Sequence, residues 1–296
     1  MAGGGEVLSA RSWLFAPGDS EKKMEKATAG TADIVLLDLE DAVAPAEKPK
    51  AREMVPAFID AHPDQRHRLW VRINPLQTEY ALADLAAVVR ARPGGLMLPK
   101  ARGRADAELL HHYLTALEAA AGVQAGATRV IALITETAEG MFTCGDYAGV
   151  PRLAAMCWGA EDLADAVGAS ANRAEHGGYA FTYELARSLC LLGAAAAGVP
   201  AMETIHGDFR DAEGLRRKAV QARRDGFRGM MAIHPDQVAV INEAFTPSAE
   251  ELAEAQEIVD LFAASPGLGT IGHKGAMLDR PHLARAQALL ALAKPR

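Results

Sequence analysis

The chain has 296 residues, of which 50% are apolar and 23% are charged, and its formal net charge is −7. This length fits one α/β barrel with an added C-terminal segment, and the apolar fraction allows a large core. Because the chain is acidic and its longest basic run is Arg216–Lys218, we do not expect it to bind nucleic acid, although a local basic pocket could still bind an anion.

The three cysteines, Cys144, Cys157 and Cys190, lie far apart in the sequence. Without a CxxC pair they predict neither a disulfide framework nor a zinc site. Residues Met1–Ala10 do not resemble a secretory signal, and no apolar run has the length of a membrane span. We therefore expect a cytoplasmic protein without a membrane partner.

Eight short apolar runs recur along the chain, each followed by a longer stretch of helical periodicity. The predicted strands are Ser12–Ala16, Asp33–Leu39, Leu69–Ile73, Gly95–Pro99, Val130–Thr135, Leu153–Trp158, Ala201–Ile205 and Gly229–Ile233. Strands that alternate with helices are typical of a parallel sheet, and eight such units favour a closed (β/α)8 TIM barrel. An open doubly wound sheet is the alternative, but no GxGxxG motif follows the first strand.

The pattern changes after the eighth predicted strand. Ser248–Ala264 reads as a helix that begins with a capping box formed by Ser248 and Glu251. A glycine-rich break follows, and Pro281–Ala293 reads as a final helix. We therefore divide the chain into a barrel, residues 1–246, and a C-terminal helical arm, residues 247–296.

Polar side chains follow most of the predicted strands. They are Asp38, Glu40 and Asp41 at the end of the second strand, Arg72 in the third, Lys100 after the fourth, Glu136 after the fifth, Glu161 and Asp162 after the sixth, and His234 after the eighth. Active sites of (β/α)8 barrels lie at the carboxyl ends of the strands. We therefore expect these side chains to form one ring at the barrel mouth.

Several carboxylates at one mouth would repel each other without a cation or bound protons. Oxygen ligands without paired thiols favour Mg²⁺, with Mn²⁺ as a possible substitute, over zinc. Glu136 and Asp162 end neighbouring strands and are the predicted metal ligands. For Asp162 a helix-capping role is the alternative, because acids are favoured in the first turn of a helix.

Arg72 lies inside an apolar strand, so its charge should be paired or should bind a ligand at the mouth. A planar guanidinium suits a carboxylate or a developing enolate oxygen. Lys100 could act similarly or could pair with a neighbouring acid. Glu40 and Asp41 are expected to orient Arg72 or metal-bound water, and Glu40 is grouped with the catalytic residues.

Several blocks of the sequence resemble the signatures of the citrate lyase β-subunit-like family. They are Arg11–Asp19, Asp38–Pro45, Val71–Pro75, Leu98–Lys100, Glu136–Gly140, Trp158–Leu163, Ile233–Pro235 and Gly275–Asp279. Because the blocks span nearly the whole chain in order, the resemblance is specific. Members of this family include citryl-carrier-protein lyase subunits, malyl-CoA and citramalyl-CoA lyases, and malyl-CoA thioesterases.

The resemblance implies a (β/α)8 barrel that assembles as a homotrimer or a dimer of trimers. It implies Mg²⁺ bound by Glu136 and Asp162, with Arg72 contacting the substrate. It also implies that Asp279, on the arm, reaches the site of a neighbouring subunit and handles the proton at the thioester α-carbon. The alternative for Asp279 is a helix cap, since Arg280 and Pro281 follow it.

The resemblance further implies that CoA lies along the N-terminal signature, near Phe15 and Lys26. Ile233 and His234 are grouped with these CoA-binding residues, while packing remains an alternative for His234. Glu161 is grouped with Arg72 and Glu136 as substrate-binding.

Some positions depart from the family pattern. Ser20 stands where some malyl-CoA lyases have a CoA-binding arginine, Met230 replaces a frequent lysine, and Glu203 replaces a common aspartate. The block Trp158–Leu163 favours a CoA thioester over a carrier protein, because citrate lyase subunits lack this form.

These observations predict an Mg²⁺-dependent carbon–carbon lyase. Its substrate would be a β-hydroxyacyl-CoA such as malyl-CoA or citramalyl-CoA, cleaved to a 2-oxo acid and a short acyl-CoA. The alternatives are a malyl-CoA-type thioesterase, a citryl-carrier-protein lyase subunit and a non-catalytic CoA-binding barrel.

Overall fold

The computed structural model describes residues 10–175 and 177–292. Eight parallel strands form a closed barrel in sequence order. They are β1 (Ser12–Pro17), β2 (Ile34–Asp38), β3 (Leu69–Arg72), β4 (Gly95–Leu98), β5 (Val130–Leu133), β6 (Leu153–Cys157), β7 (Ala201–Glu203) and β8 (Gly229–Ala232). The first strand pairs with the last, with Ser12 opposite Met230. The predicted (β/α)8 barrel is therefore confirmed, and the open sheet is excluded.

Helices connect the strands. They are α1 (Glu21–Thr28), α2 (Lys48–Ala61), α3 (Ala81–Ala91), α4 (Arg104–Ala120), α5 (Ala138–Thr143), α6 (Glu161–Ala166), α7 (Phe181–Ala197), α8 (Ala212–Asp225) and α9 (Pro235–Ala244). Short 3₁₀ turns at Pro45–Glu47 and Pro63–Arg68 precede α2 and β3. Across the ranges 10–175 and 177–292, no helix is long and apolar enough to cross a membrane.

The interior of the barrel is filled by side chains. The rings of Trp13 and Trp70 meet edge to face, with centroids 5.3 Å apart, and both side chains are buried. Gly95 makes room for one of these rings, because a Cβ there would lie 2.3 Å from Trp70. The close packing of two indoles therefore requires glycine on the neighbouring strand.

A buried ion pair joins α4 to the connection before β6. Arg152 Nη1 lies 2.7 Å from Glu118 Oε1, and both side chains are almost fully buried. The Glu118 carboxylate also accepts hydrogen bonds from the backbone N–H groups of Gly126 and Thr128. Burial raises the pKa of Glu118, but these donors outweigh it and lower the pKa to about 2.

By its internal contacts the chain divides into two compact units, residues 1–242 and 243–296. The second unit contains α10 (Ala249–Ala264), β9 (Thr270–His273), β10 (Ala276–Asp279) and α11 (Arg280–Leu292). The capping box predicted for α10 is present, since Ser248 and Glu251 exchange side-chain to backbone hydrogen bonds. The packing of residues 247–296 on a neighbouring subunit stays a prediction.

The segment before α11 was predicted to be only a glycine-rich break, but it contains a β-hairpin. Strands β9 and β10 pair antiparallel, with His273 opposite Ala276. The two turn residues, Lys274 and Gly275, both have positive φ, as expected for a type I′ hairpin.

Candidate active site

Arg72 and Asp38 form a two-pronged ion pair at the carboxyl ends of β3 and β2. Arg72 Nε donates to Asp38 Oδ1 at 2.7 Å, and Nη2 donates to Oδ2 at 2.6 Å. The pair is set by strand register, because the two residues lie opposite each other in the barrel. Burial raises the pKa of Asp38, but the Arg72 charge and hydrogen bonds outweigh it, so the pKa lies below its usual value.

Glu40 lies between two cations. Arg72 Nη1 is 2.9 Å from its Oε2 atom, and Lys100 Nζ is 2.6 Å from its Oε1 atom. Glu40 is buried, and this burial outweighs both cations and raises the pKa of the carboxyl to about 7. The prediction that Arg72 is paired at the mouth is therefore correct, and the expected contact with Glu40 is present.

Lys100 connects the acids of several strands. Its ammonium lies 3.0 Å from Asp162 Oδ1 and 3.3 Å from Asp41 Oδ2, in addition to its contact with Glu40. Burial lowers the pKa of Lys100, but these acids outweigh it and raise the pKa overall. Lys100 has a φ of 49°, which is uncommon for a residue with a Cβ and typical of functional sites.

Glu136 is buried and accepts a hydrogen bond of 2.8 Å from the backbone N–H of Lys100. Gly159 lies close to this carboxylate, because a Cβ at that position would be 3.2 Å from Glu136 Oε1 and would press on it. Burial, together with the charges of Glu40 and Asp162, raises the pKa of Glu136 well above its usual value. A carboxylate in such surroundings is stabilised when a cation binds to it.

Asp162 lies in the first turn of α6 and lines the same cavity as Glu136. Mg²⁺ often takes only one or two protein carboxylates and completes its shell with water and substrate. Among the residues that the structure describes, no group of three or more His, Cys, Asp and Glu side chains is placed to hold a metal ion. The donor set therefore fits Mg²⁺ with two protein ligands better than a closed zinc site.

The cavity at this mouth has a volume of about 260 Å³. It is lined by Phe15, Asp38, Asp41, Ala42, Arg72, Leu133, Glu136, Trp158, Gly159, Ala160, Glu161, Asp162, Thr204, Ile205, Met231 and Ile233. The Arg72 guanidinium also lies 4.7 Å from the Phe15 ring centroid. This volume accommodates a small acyl group but not a whole CoA molecule.

The remaining predicted site residues lie in different places. Glu161 and Ile233 line the cavity, whereas Lys26 is exposed on α1 and is not among the lining residues. The His234 ring stacks on Phe209, with centroids 4.7 Å apart, in agreement with the packing alternative.

Asp279 ends strand β10 and precedes α11. Its carboxylate forms an ion pair with His282 and accepts from the His282 backbone N–H at 3.4 Å. The hydrogen bond with the His282 side chain lowers the pKa of Asp279. These contacts fit the helix-cap alternative, and a role in the site of a neighbouring subunit stays a prediction.

A polar network that was not predicted from the sequence supports the loop that carries Glu40, residues 39–44, which we call the Glu40 loop. Lys48 is buried, and its Nζ donates to Leu39 O at 2.9 Å, Glu40 O at 2.8 Å and Asn74 Oδ1 at 2.7 Å. Asn74 in turn donates to Leu39 O and to Asp84 Oδ2. The only signal in the sequence was that Asn74 follows Arg72 at a strand end, whereas Lys48 reads as a surface residue of a helix.

Comparisons with known proteins agree with this geometry. A family model described as HpcH/HpaI aldolase/citrate lyase matches residues 11–235. A second one, described as C-C bond lyase of the TIM-barrel fold, matches residues 186–295.

A citrate lyase subunit beta-like protein of Mycobacterium tuberculosis is 37% identical, covering 94% of this chain and 93% of its own. A (3S)-malyl-CoA thioesterase of Cereibacter sphaeroides is 34% identical, and the match covers 96% of this chain and 94% of the thioesterase. The crystal structure of CitE from Mycobacterium tuberculosis, in complex with magnesium, acetoacetate and coenzyme A, has a TM-score of 0.81 at 35% identity and covers 97% of this chain and 99% of its own.

Proposed function

The chain belongs to the HpcH/HpaI aldolase/citrate lyase family, and we propose that it is an Mg²⁺-dependent lyase that cleaves a carbon–carbon bond in a β-hydroxyacyl-CoA. One observation carries the proposal. Arg72 and Lys100 hold a set of carboxylates at the mouth of the barrel, and Glu136 and Asp162 are the two members suited to a metal.

Glu136 and Asp162 would hold the Mg²⁺ ion. When bound, the ion supplies Lewis-acid stabilisation of negative charge on substrate oxygens. The buried position of Glu136 and the N–H of Lys100 fix the direction of its carboxylate. Asp162 is about one-third exposed, so it remains accessible from the cavity.

Arg72 would bind the developing negative charge. Nε and Nη2 each donate one N–H to Asp38, whereas Nη1 lies 2.9 Å from Glu40 Oε2 without donating to it, so the two N–H groups of Nη1 remain for a ligand. The guanidinium lines the cavity and keeps its charge, because Asp38 and Glu40 outweigh the effect of burial and raise its pKa. An arginine held in this way needs little reorganisation when charge develops on a substrate oxygen.

In the proposed reaction the β-hydroxyl group gives its proton to a water molecule, and the bond between the α- and β-carbons breaks. The electron pair of that bond passes into the thioester enolate, and the hydroxyl carbon becomes the carbonyl carbon of a 2-oxo acid. Protonation of the enolate at its α-carbon then gives the short acyl-CoA. We assign this proton transfer to the partner subunit's Asp279, which implies a homotrimer or a dimer of trimers in which residues 247–296 pack on a neighbour.

The cavity volume of about 260 Å³ supports a placement in which only the acyl end of the substrate enters. Phe15 and Ile233 line the cavity and would contact the thioester arm. Lys26 is exposed on α1, where it would pair with a CoA phosphate, and His234 would lie beside the nucleotide.

Hydrolysis of the same thioesters is the second candidate function. It is favoured by the 34% identity to the (3S)-malyl-CoA thioesterase of Cereibacter sphaeroides. In that case water accepts the acyl group, and free hydroxy acid is released in place of a 2-oxo acid.

The test is mass spectrometry of the products from a panel of β-hydroxyacyl-CoA thioesters incubated with Mg²⁺. A lyase gives a 2-oxo acid and a short acyl-CoA, a thioesterase gives a hydroxy acid and free CoA, and unchanged thioesters would contradict both. Asp162→Asn should abolish turnover, whereas Asp165→Asn, exposed on the same helix, should not. Full turnover in excess EDTA would contradict the metal assignment.

A further inference from the structure

A second cavity of about 370 Å³ lies outside the site described above, around the end of β7 and the start of α8. We call it the basic cavity. It is lined by Arg173, Gly177, Gly178, Tyr179, Glu184, Arg187, His206, Asp211, Gly214, Arg217, Lys218 and Gln221. Four of these residues are lysine or arginine, in a chain whose net charge is −7.

Lys218 is the central cation of the basic cavity. Its Nζ donates to Ile205 O at 2.8 Å and lies 3.4 Å from the Tyr179 hydroxyl. It also lies 5.1 Å from the Tyr179 ring centroid and 6.0 Å from that of Trp158. Within the described part of the chain no carboxylate forms an ion pair with it. An ammonium has three N–H donors, and those of Lys218 donate to Ile205 O and to the Tyr179 hydroxyl, so one remains for an anion.

Two arginines of the basic cavity are also without an ion-pair partner among the described residues. The Arg173 guanidinium carbon lies 3.8 Å from the Tyr179 ring centroid, and Arg217 belongs to the same helix as Lys218. Arg187 differs from them, because it is 2.7 Å from Glu203 and 2.8 Å from Asp225.

Among the described residues, the acids of the basic cavity form no ion pair with these three cations. Asp211 caps α8 through the Gly214 N–H and lies 3.5 Å from His206, and Glu184 forms no ion pair with Arg173, Arg217 or Lys218. Like charges held close together are stabilised when an anion binds between them. Loops after strands seven and eight commonly bind phosphate in (β/α)8 barrels.

We propose that the basic cavity binds a tetrahedral oxyanion, the phosphate group of a small molecule, through Lys218 and Arg173. Guanidinium groups pair with phosphate through two parallel N–H donors, and an ammonium adds a compact charge. This site is separate from the carboxylate cavity, and it does not rest on the proposed lyase activity. The two cavities share a wall, since Trp158 and Ile205 line the first and contact Lys218 of the second.

The charge of Lys218 makes the proposal sensitive to pH. Burial lowers its pKa to about 8, partly offset by Glu203. The titratable and charged groups around it are Arg173, Tyr179, Glu184, Arg187, Glu203, His206, Asp211 and Arg217. His206 and Tyr179 keep one charge state between pH 7 and pH 9, because burial lowers the pKa of His206 below its usual value and raises that of Tyr179 to about 12.

The test is calorimetric titration with sodium sulfate, whose charge is constant over this pH range. We expect Lys218→Met and Arg173→Gln each to weaken sulfate binding about tenfold, or about 1.4 kcal/mol. Arg224→Gln, exposed on the same helix as Lys218, should leave it unchanged. Between pH 7 and pH 9 the sulfate affinity of the wild type should decrease about tenfold, whereas that of Lys218→Arg, which stays charged, should not change.

Competition with CoA and the Arg173→Gln variant complete the experiment. If CoA displaces sulfate, the phosphate that occupies the basic cavity belongs to CoA; if both bind together, it belongs to another molecule. The Arg173→Gln variant changes an exposed side chain, so it tests the proposal even if Lys218→Met does not fold. Absence of sulfate binding in the wild type, or equal affinity in the wild type, Lys218→Met and Arg173→Gln, would overturn the proposal.

Discussion

Replacement of Arg72 by lysine separates charge from geometry at the barrel mouth. Lysine keeps the positive charge that the fully buried Asp38 requires, so the fold should survive. However, a single nitrogen cannot reproduce the two hydrogen bonds to Asp38, the close approach to Glu40 and the two Nη1 N–H groups that we propose bind the substrate.

The expected loss follows from the two N–H groups that arginine has available. Removal of one donor to a developing oxyanion raises a reaction barrier by about 2–4 kcal/mol. This corresponds to a decrease in kcat of about 30-fold to 1,000-fold at 25 °C. KM should change less, because the interaction strengthens as charge develops in the transition state.

The assay is steady-state kinetics with the best thioester of the panel, together with urea unfolding of each variant. Arg68→Lys is the matched control. Arg68 flanks the opposite end of β3 and donates to the backbone oxygens of Thr28, Gly30 and Ala32, so its replacement should reduce stability without reducing kcat. If Arg72→Lys retains a kcat within about threefold of wild type, Arg72 is only a structural ion-pair partner.

Three further predictions concern other parts of the molecule. Lys48→Met should lower the free energy of unfolding by about 2–3 kcal/mol, measured in urea, because three buried acceptors lose a charged donor. An unchanged free energy of unfolding would show that the network does not hold the Glu40 loop. Glu118→Gln should lower the free energy of unfolding by about 3 kcal/mol at pH 7, since the pKa of Glu118 is lowered to about 2 in the folded chain. The stabilisation by the Glu118 carboxylate is complete above the unfolded pKa of about 4.5 and disappears as pH falls towards 2. A pH-independent difference in urea midpoint would refute this prediction. Asp279→Ala mixed with Arg72→Ala, after dissociation and reassembly, should recover part of the activity if the site is shared. No recovery, with subunit exchange verified by mass, would exclude a shared site and leave Asp279 acting within its own subunit or only as a helix cap.

The barrel could be predicted from the sequence because its signal is repeated and local. Each strand is a short apolar run, and each is followed by a helical pattern. The number of strand–helix units can therefore be counted even where one apolar run is less clear than the others. The position of Arg72 was also informative, because a charge inside a closed barrel must be paired. Its partner Asp38 was within the predicted ring, and the strand register brings the two together.

The contacts of Lys100 could not be predicted in the same way. Its side chain reaches acids that follow β2 and β6, and its backbone N–H reaches Glu136 after β5. Such contacts depend on the curvature of the barrel and on a left-handed backbone conformation, and neither appears in hydrophobic periodicity. The hairpin before α11 was missed for a related reason, because each strand has only four residues and Leu278 is the one buried residue of the two strands.

The three tryptophans of the chain, Trp13, Trp70 and Trp158, are all fully or almost fully buried. All three belong to residues 1–242, and none belongs to residues 243–296. Intrinsic fluorescence therefore reports solvent entry into the barrel alone, whereas far-ultraviolet circular dichroism also detects α10 and α11. Coincident transitions of the two signals would identify a single cooperative unit, and separated transitions would identify two spectroscopically distinct folding units in one polypeptide.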